Sequence, residues 1–67
     1  MSIYAIADNI RKIRTEKFQE SQEKFAERLN IRLRTVQKIE NGYCLPKLST
    51  LIKIAQVSGL TIDELLI

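Results

Sequence analysis

Apolar residues recur along this chain mainly at helical intervals rather than at the interval of two that a half-buried strand requires. Ile3, Ile6, Ile10 and Ile13 are spaced i, i+3, i+7 and i+10, one face of a helix. Asp8, Arg11, Lys12 and Thr15 decorate its other sides. A first helix is therefore predicted from Ile3 or Tyr4 to Lys17. Phe25 and Leu29 lie one turn apart, as Val36 and Ile39 nearly do, and Asn30 stands between the pairs. Asn tolerates the left-handed conformation of a tight inter-helix turn. Ala26 is small enough to let a second helix cross closely. Helices over Gln22–Leu29 and Leu33–Glu40, joined by that turn, make a helix-turn-helix unit.

Downstream, Leu48, Leu51, Ile52 and Ala55 follow helical spacing, while Ile54 and Val57 add apolar surface on another side. A fourth helix buried over a wide arc is expected. Thr61 and Glu64 have capping-box spacing, with Leu60 and Leu65 placed as a hydrophobic staple, so a short fifth helix follows. The boundary residues agree with these elements. Ser21 is an N-cap candidate, and Glu23 suits the positive end of its helix. Gly42 and Gly59 suit helix stops, and Pro46 holds the loop over 43–47 extended. The predicted fold is all-α, one compact domain over residues 1–67.

Composition removes several classes of function. With one cysteine and no histidine in 67 residues, no zinc-ligand spacing exists. The usual general-base and nucleophile arrangements are missing, and no Gly-rich phosphate loop occurs. No enzyme activity, metal or cofactor is expected. Cys44 is expected as a partly exposed loop thiol, which suits a reducing cytoplasm. No signal peptide or membrane-length apolar run is present, so a cytoplasmic protein without membrane contact is expected. Formal charge is +3, from 11 basic and 8 acidic residues. That excess alone would favour an ordinary solvated surface. Its placement changes the picture: Arg32, Arg34 and Lys38 crowd the second helix of the motif, which is what phosphate attraction needs.

Ser21-Gln22-Glu23, Ala26, Leu29, Thr35, Ile39-Glu40-Asn41-Gly42, Pro46 and Leu51-Ile52-Lys53-Ile54-Ala55 together resemble the phage repressor and Cro-like helix-turn-helix family, also called XRE. The resemblance runs from about Ile6 to Leu66 and implies a five-helix repressor-like domain. Two departures stand out. Where the family usually has a Gly and then an apolar residue before its Ser-Gln pair, this chain has Phe18-Gln19-Glu20 and one extra residue. Phe18 is expected to fill the apolar slot from a shifted position. Where the family often has Ser or Thr near the start of the third helix, this chain has Arg32, which removes a cap or adds a phosphate contact.

In a helix-turn-helix the second motif helix enters the major groove with its N-terminal residues on base edges. By position, Arg32, Leu33, Arg34, Gln37 and Lys38 are the candidate base contacts. Arg grips guanine O6 and N7, Gln can pair with adenine, and Leu33 can pack on a thymine methyl. The resemblance implies phosphate contacts from Gln22 and Asn41, and Gln22 sits at a helix N-terminus where an anion is favoured. Thr35 and Lys47 are further phosphate candidates. The resemblance also implies a structural ion pair between Arg14 and Glu40.

The function expected is a sequence-specific transcription regulator of double-stranded DNA, a repressor, bound to a palindromic operator as a homodimer. Val57, Ile62, Leu66 and Ile67 are candidates for the self-contact. Regulation is expected through protein level, partner binding or dimerisation rather than a separate sensor domain. Two alternatives stay open: the antitoxin of a toxin–antitoxin pair, and a protein-interaction module that has lost DNA binding. Selection from a random-sequence DNA pool separates the last from the others.

Overall fold

The computed structural model describes residues 2–67. Helix α1 (Ile3–Lys12) starts at Ser2, whose hydroxyl accepts from the amide of Ala5 at 3.1 Å. It runs on without a break into a π-helical segment, Ile13–Phe18. A π turn absorbs one more residue than an α turn, and this is where the extra residue of the first connection is taken up. Gln19 closes the segment in the left-handed conformation, φ 55° and ψ 44°, and its amide donates to the carbonyl of Arg14. The amide of Glu20 donates to the same carbonyl at 3.1 Å. Gln19 thus stands in the backbone geometry that glycine adopts without cost.

Phe18 turns inward and packs against the core, its ring centroid 6.1 Å from that of Phe25. The Arg28 guanidinium lies 4.3 Å over the Phe18 ring. Arg28 Nε also donates to both carboxylate oxygens of Glu20, at 3.0 and 3.1 Å. The connection is therefore fastened to α2 by an aromatic contact, a cation–π contact and an ion pair.

Helix α2 (Gln22–Leu29) begins at Ser21, whose hydroxyl accepts from the amide of Lys24 at 3.1 Å. It ends at Asn30 in the left-handed region, φ 54° and ψ 46°. Helix α3 (Leu33–Glu40) has Arg32 at its N-cap with no side-chain cap, then Asn41 and a left-handed Gly42 at its end. The amide of Tyr43 reaches back to the carbonyl of Lys38 at 2.9 Å, the closing bond of a glycine-type helix stop. Helix α4 (Leu48–Ser58) stops at Gly59, φ 74°, and α5 (Ile62–Leu66) opens on a two-way capping box between Thr61 and Glu64. The described residues hold five helices and no strand.

The core collects Ile6, Ile10 and Ile13 from the first helix, Phe25, Ala26 and Leu29 from α2, Val36 and Ile39 from α3, Leu51 and Ile54 from α4, and Leu65 from α5. Asn9 ties the chain end down, its Nδ2 donating to the carbonyls of Leu65 and Ile67 at 3.0 and 3.2 Å.

The core face of α4 differs from the expected stripe. Leu48 is 65% exposed and Ile52 41% exposed, whereas Thr50, Leu51, Ile54 and Ser58 are buried. Two apolar stripes overlap on this helix, and Leu51 lies on both. Its two sides are nearly matched in apolar content, so periodicity does not choose between them. The neighbouring helices choose.

Candidate nucleic-acid interface

The inward side of α3 carries Val36, Ile39 and Glu40, all buried. Fixing those three sets the opposite side outward. Arg34, Gln37 and Lys38 are exposed there, and Arg32 is exposed at the cap. Among the described residues none of the three cations makes an ion pair. Leu33 is half-buried and packs against the core, so its side chain is shared between core and surface. Thr35 is half-buried on the flank of the helix. Arg34, Gln37, Lys38 and Asn41 line a concavity of about 240 Å³ together with Tyr43.

Glu40 organises the base of this surface. Its side chain is fully buried. Arg14 grips it with two parallel bonds, Nε to one carboxylate oxygen at 2.7 Å and Nη2 to the other at 2.9 Å. Gln22 Nε2 donates to Glu40 Oε1 at 3.2 Å. Arg11 Nη2 donates to the backbone carbonyl of Glu40 at 2.7 Å, meeting one of the free carbonyls at the end of α3. The same Arg14 donates from Nη1 to the carbonyl of Glu20 at 2.8 Å. One buried carboxylate thereby joins the first helix, the connection, α2 and α3. The hydrogen bonds that Arg14 donates to the Glu40 carboxylate raise the pKa of Arg14 above its ordinary value, with burial acting the other way.

The sequence model of the helix-turn-helix family matches residues 10–65. The chain belongs to the phage repressor and Cro-like helix-turn-helix family. It is a DNA-binding regulator of the XRE type, a regulatory domain rather than a catalytic one. No curated protein and no solved structure matches it. No helix of the described residues is long and apolar enough to cross a membrane.

Within this helix-turn-helix domain the candidate residues fall into distinct places. Arg32, Arg34, Gln37 and Lys38 share the outer side and N-terminal end of α3. Gln22 stands at the first position of α2, with its amide nitrogen steered by Glu40. Asn41 is exposed at the C-cap of α3, and Lys47 is exposed at the N-cap of α4. Thr35 and Lys47 line a separate groove on the flank of α3.

Two residues join the site without having been expected from the sequence. Tyr43 is 78% exposed and walls the concavity beside Gln37 and Lys38. Arg11 joins the Glu40 cluster. Its spacing of three from Arg14 puts both on one side of the first helix, a signal the sequence does carry. Tyr43 offers no comparable signal, because its position depends on the turn at Gly42.

Proposed function

We propose that this domain is a sequence-specific repressor that binds a palindromic operator as a homodimer and reads bases with the outer side of α3. One observation carries it: the cations Arg34 and Lys38 on the outer side of α3 and Arg32 at its N-cap are exposed without an ion-pair partner among the described residues, while the other side of the helix is locked into the core. Cations that hold no internal partner are available to phosphates and base edges at no cost in broken ion pairs. Arg34 and Gln37 are the base readers, and Lys38 is shared between base edge and backbone. Gln22, Thr35, Asn41 and Lys47 position the domain on phosphates. Gln22 is suited to that role by its pre-set amide, since Glu40 fixes one hydrogen and leaves the other free.

The dimer surface is best sought on α4. Val57 and Leu66 pack against the core, and Ile62 is half-buried. Leu45, Leu48 and Ile52 instead form an exposed apolar group. Three exposed apolar side chains are few beside the roughly 20–30 residues a side of a stable interface. The domain is thus monomeric alone and paired on DNA.

Selection from a random-sequence DNA pool tests the proposal. Enrichment of an inverted repeat, with half-sites about 34–36 Å apart along one face of the duplex, is the expected result. A pool that yields no motif, or an unpaired half-site, overturns it.

A further inference from the structure

Beside the reading side of α3, a groove of about 460 Å³ lies between that helix, the 43–47 loop and the first turns of α4. That volume is within the usual span of small-ligand sites, about 300–1,000 Å³. Ile39 and Thr50 are its buried residues, and Ile31, Cys44 and Pro46 add half-buried apolar wall. Lys38, Lys47 and Lys53 surround it, and among the described residues no carboxylate lines it.

Thr50 is the unexpected member. It is only 6% exposed, and its hydroxyl has no hydrogen-bond partner among the described residues. Among those residues no fully enclosed side-chain oxygen is left without a partner, so this hydroxyl keeps some solvent contact, and Thr50 is one of the residues that line the groove. The first turn of α4 also lacks a side-chain cap, since Lys47 occupies the N-cap. Free amides at the start of an eleven-residue helix favour an anion.

We propose that this groove binds a small organic anion with a flat apolar body, and that its occupancy excludes DNA. The anionic head is held by the three ammonium groups, the Thr50 hydroxyl and the first amides of α4. The body lies on the wall of Ile31, Ile39 and Pro46. A phosphodiester of DNA uses only the head-group part and leaves that wall uncovered, which is why an amphipathic ligand fits better. The exclusion rests on the DNA-binding reading above, because Thr35, Lys38 and Lys47 serve both. Binding of the anion itself does not rest on it. By linkage, DNA and anion weaken one another by the same factor.

Anilinonaphthalenesulfonate is the probe, with uncharged phenylnaphthylamine as the same ring system lacking the sulfonate. Amide-resolved NMR without DNA should show saturable shifts at Ile39, Thr50 and Lys53. The uncharged probe should bind at least about tenfold more weakly, as should the charged probe to Lys53→Met. Thr50→Val carries the same test if Lys53→Met fails to fold. Shifts centred on Leu48 and Ile52, equal affinity for both probes, or no binding each overturn the site. On a selected operator, the charged probe should raise the apparent Kd of the wild-type domain and do so far less for Lys53→Met. A probe that occupies the groove and leaves the Kd unchanged overturns the exclusion. A domain that binds no DNA even without probe refutes the DNA-binding reading and leaves the groove assignment standing.

Discussion

In the proposed complex Arg34 and Gln22 stand on opposite sides of the division between reading and holding. Base contacts discriminate, while phosphate contacts set register and carry no sequence information directly. Arg34→Ala should cost about 1–3 kcal/mol on the best site and relax the preference at one position of each half-site. Gln22→Ala should weaken all sequences alike and leave the salt slope nearly unchanged, because Gln22 is neutral. Lys38→Ala should lower the slope by about one per subunit. Selection combined with a salt titration separates these outcomes; an unchanged motif with Arg34→Ala would make Arg34 a backbone contact. Glu40 belongs to stability instead. Glu40→Ala leaves Arg14, whose side chain is only 13% exposed, without its counter-charge. The expected loss is about 3–5 kcal/mol in chemical denaturation, whereas an apolar pair replacing both residues should cost far less. Surviving Glu40→Ala protein should also bind all DNA more weakly, since the Gln22 amide loses its anchor.

The connection between the first helix and α2 is where single elements show strain. Gln19 is a non-glycine residue at φ 55°. Gln19→Gly should therefore stabilise the domain by up to about 1 kcal/mol, the usual penalty of a left-handed residue less the added freedom of the unfolded glycine. Gly42 gives the opposite result. It has φ 73°, and an added Cβ would lie 2.8 Å from the Tyr4 ring. Gly42→Ala should lower Tm, and should lower it more than Gly59→Ala, where φ is 74° and the space beyond is open. Equal losses at the two glycines would mean that the Tyr4 ring swings aside freely.

The same connection carries a pH dependence. The hydrogen bond from Arg28 holds the Glu20 carboxyl below the ordinary glutamate range. A depressed folded-state value means that the stabilisation is complete above the unfolded pKa and fades as pH falls from there through the folded one. Tm measured on acidification should fall in that window, and Glu20→Gln should fall less steeply. Parallel curves for the two proteins would show that the pair contributes nothing.

At the scale of the whole molecule, Leu48 and Ile52 are the contact between copies in the proposed dimer. Both are exposed on α4, one turn apart. Replacing both with Glu should leave the fold of the monomer within about 0.5 kcal/mol, as is usual for surface substitutions. Affinity for the full palindrome should drop at least about tenfold, with single half-site affinity little changed. Sedimentation of the protein on a palindromic duplex checks the stoichiometry. A two-to-one complex that survives the double substitution would move the self-contact to Ile67 and its neighbours.

Local interactions along the chain are the part that its order of residues determined by itself. A cap bonds an amide two or three positions away, and a left-handed stop depends on one residue. Ser21, Asn30, Gly42 and the Thr61–Glu64 box are therefore legible from the residue order alone. The bounds of α2 and α3 follow from them, and so does the outward side of α3, because its apolar and polar positions separate cleanly. Three features needed the tertiary structure. The first helix ends in a π turn, whose last residue, Phe18, packs beside Phe25. The core face of α4 was settled by the packing of α2 and α5 around two nearly equal apolar stripes, which buried Thr50 and left Leu48 and Ile52 outside. The Glu40 cluster gathers Arg11, Arg14 and Gln22 from up to 29 residues away in sequence, and no local pattern encodes how deeply a carboxylate is buried once distant helices close over it.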